Sequence, residues 1–324
     1  MCCTAPPVSE GFATAGQGVP TIGRRWRQRL WAWRSGRAWI SGSAPLHALL
    51  GLTLLLGGCR RDAPPPELTL VQAEADALLR ANRLRTTPIR FTLEVGETAG
   101  YWAQQLGLCP RGTQGEEPEL SCAAWAHGAP GDVASPLQRQ LQRLAYLYGH
   151  ASARTYPQGL VSFDRSLFLV QGHDRAALRC VVAHELVHFL RRHAYLSSRR
   201  LQQPDLRDRP APERDRVLAT LSQQQELAAD RGALLMTAIS GQDPASCVRQ
   251  LQEAAELEGD YAAEDPLSSH PGHGRRIAAA RAYLARGLAD DLAAWRRQGA
   301  RSAAVTPRWR WDPQDRLLTV TTRP

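Results

Sequence analysis

A chain of 324 residues has room for one large domain or two small ones. Its formal charge of +9 and pI near 9.6 invite a nucleic-acid or anionic-membrane partner. The distribution argues against nucleic acid: all 40 basic residues are arginine, and six of them (Arg24, Arg25, Arg27, Arg29, Arg34, Arg37) precede residue 40 against one acid, Glu10. The remainder is mildly basic with both signs interspersed, and no basic-aromatic recognition module occurs, so no nucleic-acid partner is expected.

The arginine-rich start leads into an apolar run over residues 48–56 and then Gly57, Gly58 and Cys59. A basic region, a short apolar stretch and small residues together make residues 1–58 a secretory signal peptide. The run is about half the ~20 residues a membrane-spanning helix needs. Leu56-Gly57-Gly58-Cys59 resembles the lipobox of bacterial lipoproteins, which would make Cys59 the lipidated residue and the new N-terminus. The alternative is a buried helix that ends at a chance cysteine. The basic region is long enough for the true start to lie after Met1. Residues 59–67 then read as the lipidated cysteine and a proline-stiffened tether. The expected location is the bacterial cell envelope, lipid-anchored at the periplasmic face of the outer membrane. Four further cysteines in an exported chain suggest disulfides. Cys109 and Cys122 bracket a loop and are the readiest pair, worth about 3 kcal/mol in the chain-entropy model. Cys180 and Cys247 are either a second pair or two buried thiols.

Beyond the tether, residues 68–136 read as an N-terminal α+β part. Apolar positions at helical spacing run over 68–84, residues 88–95 alternate like a strand, and 108–132 form a Gly-, Pro- and Glu-bearing loop. Leucines at 137, 141, 144 and 147 mark one face of a helix. Residues 159–163 and 167–170 read as short strands joined by a turn at Asp164 and Arg165. A helix follows over 175–192 with Asp174 as its cap. The Pro- and Arg-rich stretch 203–213 precedes a long helix to about residue 238, and Asp243 and Pro244 open another. Helices over 273–286 and 289–298 and a hairpin over 308–322, turning at Asp312 and Pro313, complete an α+β chain with a small sheet beside one central helix. Residues 137–287 form the core and 288–324 a C-terminal helix and hairpin.

His184-Glu185-Leu186-Val187-His188 lies in that central helix. Histidines four apart share one helix face, so two imidazoles can meet one zinc ion. Glu185 between them lies beside the ion and can take the proton of a zinc-bound water. The neighbours are apolar, and a polar triad in an apolar helix requires its buried donors and charges to be satisfied, which a metal provides. A third histidine six residues after His188 is excluded, since Ala194 stands there and Arg191 replaces the glycine of that pattern. His193 falls one residue short and reads as a polar residue near a helix end. Glu226 is the better third ligand. Asp230, one turn later, can receive Nδ1–H of a ligand histidine and fix its tautomer.

His184 to His188, then Glu226-Leu227-Ala228-Ala229-Asp230-Arg231, then His270-Pro271 followed by Arg276-Ile277, together resemble the HtpX-like and CAAX-prenyl endopeptidase family of gluzincins over residues 137–287. The resemblance implies a zincin-type domain, endopeptidase activity, and one zinc held by His184, His188 and Glu226 with Glu185 as general base. It places residues 156–163 as the strand beside the cleft, able to pair with an extended substrate. His270 matches a histidine near the metal that assists or gates the site, or else it caps a helix before Pro271. Arg276 either stabilises the oxyanion or forms a salt bridge. The short interval from His188 to Glu226 implies a reduced segment over the cleft, and there is no set of transmembrane helices. Export with a lipobox is similar to the periplasmic lipoprotein or BepA-like branch, whose members handle misassembled envelope proteins. The repeat domain of BepA-like proteins has no room here. The expected partners are misfolded polypeptides and the membrane, and the alternative is a catalytically silent, zinc-stabilised binding or chaperone lipoprotein.

Overall fold

The computed structural model describes residues 63–94, 152–171, 174–259, 264–299 and 303–323, all within the unit Gly58–Pro324. Residues 1–58 (expected to be a signal peptide), Cys59, the expected loop 108–132 with Cys109 and Cys122, and the expected helix at 137–148 lie outside the described residues. Helix α1 (Pro66–Ala81) starts two residues before its apolar spacing does, because Pro66 takes a first-turn position where its missing N–H costs nothing. Pro66 and Glu67 thus lie in the helix. At the other end Asn82 donates its amide to Leu78 O and to Met236 O, joining α1 to a helix far along the chain.

Five strands form one mixed sheet: β1 (Ile89–Glu94), β2 (Ala153–Thr155), β3 (Leu160–Asp164), β4 (Thr306–Asp312) and β5 (Leu317–Arg323), in the order β2-β3-β1-β5-β4. Only β1 with β3 is parallel. The 306–323 hairpin extends the sheet by pairing Ile89 with Val320, and its turn is held by Asp312, which accepts from Gln314 N and Asp315 N. Phe91, Phe163 and Phe168 are fully buried, and the Phe91 ring lies 5.8 Å from that of Trp309.

Residues 167–170 are not a strand but part of helix α2 (Arg165–Gln171). Leu167, Phe168 and Val170 are all buried, and a short apolar run looks the same in a buried helix as in a buried strand. The segment 156–163 is not an open strand for a substrate either. β3 is paired on one side by β1 and on the other by β2, so its backbone groups are spent. Among the described residues the free edge on this side is β2.

Helix α3 (Arg175–Leu190) begins where Asp174 accepts from Ala176 N and Ala177 N. Its first turns are tied to α1 by Glu74, a buried carboxylate that accepts from Arg175 and from Arg179 at 2.6 Å each. Helices α4 (His193–Gln202) and α5 (Pro204–Arg207) lead to the long α6 (Ala211–Ile239). Helices α7 (Ala245–Glu258), α8 (His273–Arg286) and α9 (Leu288–Gly299) follow. Of the two alternatives for Cys180 and Cys247, the structure has the disulfide, which ties α3 to α7 across 67 residues. In the chain-entropy model such a link stabilises by about 4 kcal/mol. No helix of the described residues is long and apolar enough to cross a membrane.

α6 packs against α3 at Gly232. A Cβ there would lie 2.6 Å and 2.9 Å from the two γ-methyls of Val187, a side chain with little χ1 freedom to yield. Gly232→Ala should therefore cost about 1–3 kcal/mol, measured as a lowered urea midpoint with unchanged slope. An unchanged midpoint would mean that the two helices have slack.

Candidate metal centre

Because α3 and α6 cross closely, the imidazoles of one helix reach the carboxylates of the other. His184 Nε2 lies 3.2 Å from Glu226 Oε2, His188 Nε2 lies 3.3 Å from Glu226 Oε1, and the two Nε2 atoms are 3.0 Å apart. One atom from each of the three residues falls within 4.8 Å of the others, a group that could hold a metal ion. The group opens into a cleft of about 1030 Å³ whose walls include Thr155 of β2, Glu185 of α3, Asp230 of α6 and His270.

Each member of the group is oriented by a further contact. His184 Nδ1 lies 3.0 Å from Asp230 Oδ1, so the ring donates there and turns Nε2 inward. Asp230 is gripped by Arg276 of α8, whose Nε and terminal nitrogen donate at 2.8 Å and 2.7 Å. Of the two readings of Arg276, the structure shows the salt bridge. His188 Nδ1, on the ring edge away from Glu226, lies 3.1 Å from Nδ1 of the buried His193. Thr155 donates its hydroxyl to Glu185 Oε2 at 2.7 Å. His270 does not cap α8, where Gly272 holds that position; its Nδ1 lies 3.2 Å from Glu226 Oε2 although the side chain is largely exposed. The segment bearing it is pinned to α6 by Gln223, whose amide donates to Asp265 O and Ser268 O.

The electrostatics point the same way. Burial works against a charge on His184, but hydrogen bonds to Asp230 and Glu226 outweigh it and raise the ring to about 10. Burial and the neighbouring His184 charge lower His188 to about 3. Burial opposes ionisation of Glu226, yet His184 and His270 hold its carboxyl well below the usual range, and Arg276 does the same for Asp230. Glu185 moves the opposite way: burial raises it, only partly countered by the His184 charge and the Thr155 hydroxyl. Burial and the Arg191 charge lower His193.

The donor set fits a cation. Glu226 Oε2 is buried and accepts no well-formed hydrogen bond, although two imidazole nitrogens lie 3.2 Å away. His184 Nε2, His188 Nε2 and a Glu226 oxygen face one another with a single proton among them, and a divalent ion replacing that proton would satisfy all three.

No protein family, curated protein or solved structure matches the chain. The structure brings together all of His184, Glu185, His188, Glu226, Asp230, His270 and Arg276. Cys59, Cys109 and Cys122 lie outside the described residues. Thr155, Gln223 and the role of His193 were not read from the sequence. Gln223 stands three residues before Glu226, which puts it on the same face of α6. Thr155 has no local signal at all, since only the pairing of β2 with β3 brings it to Glu185.

Between the values of about 3 for His188 and about 10 for His184, the metal-free histidine pair holds one proton more than two neutral rings, on His184. A metal must displace it from Nε2, so raising the pH favours binding. Zinc affinity should rise about tenfold per pH unit between about pH 5 and about pH 7, read by competition with a chromophoric chelator. A flat profile would show that no proton leaves.

Proposed function

We propose that the chain is a zinc-dependent endopeptidase of zincin type, with Glu185 as general base and His184, His188 and Glu226 as ligands. The observation that carries this reading is the convergence of those three ligand atoms beside a buried carboxyl whose proton affinity is raised. When bound, zinc supplies Lewis acidity and a water whose pKa falls to about 7. Glu185 takes a proton from the attacking water and returns it to the leaving amine, and a buried carboxyl with raised proton affinity is suited to both tasks. Thr155 keeps that carboxylate in one orientation through Oε2. The peptide lies extended along β2, whose Ala153, Arg154 and Thr155 line the cleft, and pairs with the edge that is free among the described residues. Three residues of edge give main-chain pairing little sequence selectivity, which suits unfolded or misassembled polypeptides as substrates. Similarity of the motif set to HtpX-like gluzincins supports the same reading. Lipidation at Cys59 would hold the domain at the cell envelope, facing the periplasm.

A second reading rests on His270. Its Nδ1 is within 3.2 Å of Glu226 Oε2, and an imidazole completing the coordination would leave a silent, zinc-stabilised binding lipoprotein. The two readings separate on a disordered polypeptide such as casein. Glu185→Gln should keep one zinc per chain and its fold while losing cleavage by about 10²-fold or more. Glu226→Ala should lose the zinc. Equal turnover by Glu185→Gln and the parent sinks the protease reading, and a zinc-loaded parent that cleaves nothing favours the silent one.

A further inference from the structure

We propose that His193 is a positioning residue for the ligand His188, accepting a hydrogen bond from its Nδ1–H through Nδ1. The inference rests on the metal-centre reading of His184, His188 and Glu226.

The two edges of the His188 ring have different neighbours. Nε2 faces His184 Nε2 at 3.0 Å and Glu226 Oε1 at 3.3 Å, so a metal held by the group takes the lone pair of that nitrogen. A neutral imidazole with a lone pair at Nε2 carries its proton at Nδ1. That proton sits on a partly buried ring and needs an acceptor. His193 Nδ1 lies 3.1 Å away, and the two rings meet edge-on, at 86° with centroids 4.8 Å apart, so that one ring edge points at the other. His193 can answer only as acceptor there, which puts its own proton at Nε2. For the same reason it is no ligand of the same ion, since the atom that would bind faces the far edge of His188.

The chain places His193 with care. α3 ends at Leu190, and Arg192 turns the backbone through φ 55°, a left-handed conformation that an arginine adopts only under constraint. The turn brings the first residue of α4 back under the last turn of α3. His193 is 6% exposed there, and α6 holds its backbone, since Gln225 donates its side-chain amide to His193 O at 3.4 Å. The two ligand histidines are thus backed differently: His184 by an anionic carboxylate, His188 by a neutral ring.

The test uses His193→Leu, which removes the acceptor, and His193→Asn, whose Oδ1 offers one close to the place of Nδ1. In the ¹⁵N-labelled zinc-loaded parent a through-hydrogen-bond coupling between Nδ1 of His188 and Nδ1 of His193 is expected, with a slowly exchanging His188 ring proton. Zinc affinity should fall about 10- to 100-fold in His193→Leu and return to within a few-fold in His193→Asn. No coupling, or equal loss in both variants, overturns the proposal. Should His193→Leu fail to fold, the coupling in the parent and the affinity of His193→Asn decide it. A chain that takes up no zinc, yet shows the coupling when metal-free, refutes the metal-centre reading and leaves the His188–His193 pair standing.

Discussion

Helix α3 carries the imidazoles of His184 and His188 and helix α6 the carboxylates of Glu226 and Asp230, and the spacing of the two helices decides whether those groups meet. Gly232 against Val187 sets that spacing. With the helices in contact, Glu226 and Asp230 are buried, and a buried carboxylate is tolerated only when paired. The rest of the structure supplies the pairs. α8 brings Arg276 to Asp230, the segment before α8 brings His270 to Glu226, and the disulfide from Cys180 to Cys247 holds α7 against the turn of α3 that precedes His184.

Charge balance explains why Glu185 and Glu226, both buried glutamates in one cleft, behave oppositely. Without metal, Arg276 and a proton on His184 offset the ionised Glu226 and Asp230. Glu185 is left with burial as its main influence, and its proton affinity rises. Exchanging the His184 proton for a divalent ion adds one positive charge beside Glu185, which favours its ionised form. A divalent ion bound in place of that proton would therefore lower the proton affinity that burial raises at Glu185.

The sequence was most informative where a feature repeats within a turn or two of one helix. The spacing of His184 and His188, the Asp174 cap and the pair Glu226 and Asp230 are local patterns, and each stands where its spacing predicts. What could not be read depends on contacts between distant segments. Residues 167–170 look like a strand until β1 and β2 take both sides of β3. Thr155 becomes meaningful only through strand register, and Gly232 only through the helix that crosses it. His193 misses one ligand spacing by a residue, although its place at the start of α4 gives it a contact with the His188 ring that no spacing rule describes.

The sheet order has a consequence in time. β1 lies between β3 and β5, and Ile89 cannot pair with Val320 until the hairpin has been synthesised. A growing chain that has passed Glu226 already owns all three proposed ligands, yet one side of β1 is still an unpaired edge. Such an edge is open to any extended segment that comes near. Pairings this distant also close slowly. The 306–323 hairpin is the closing piece that ends that exposure.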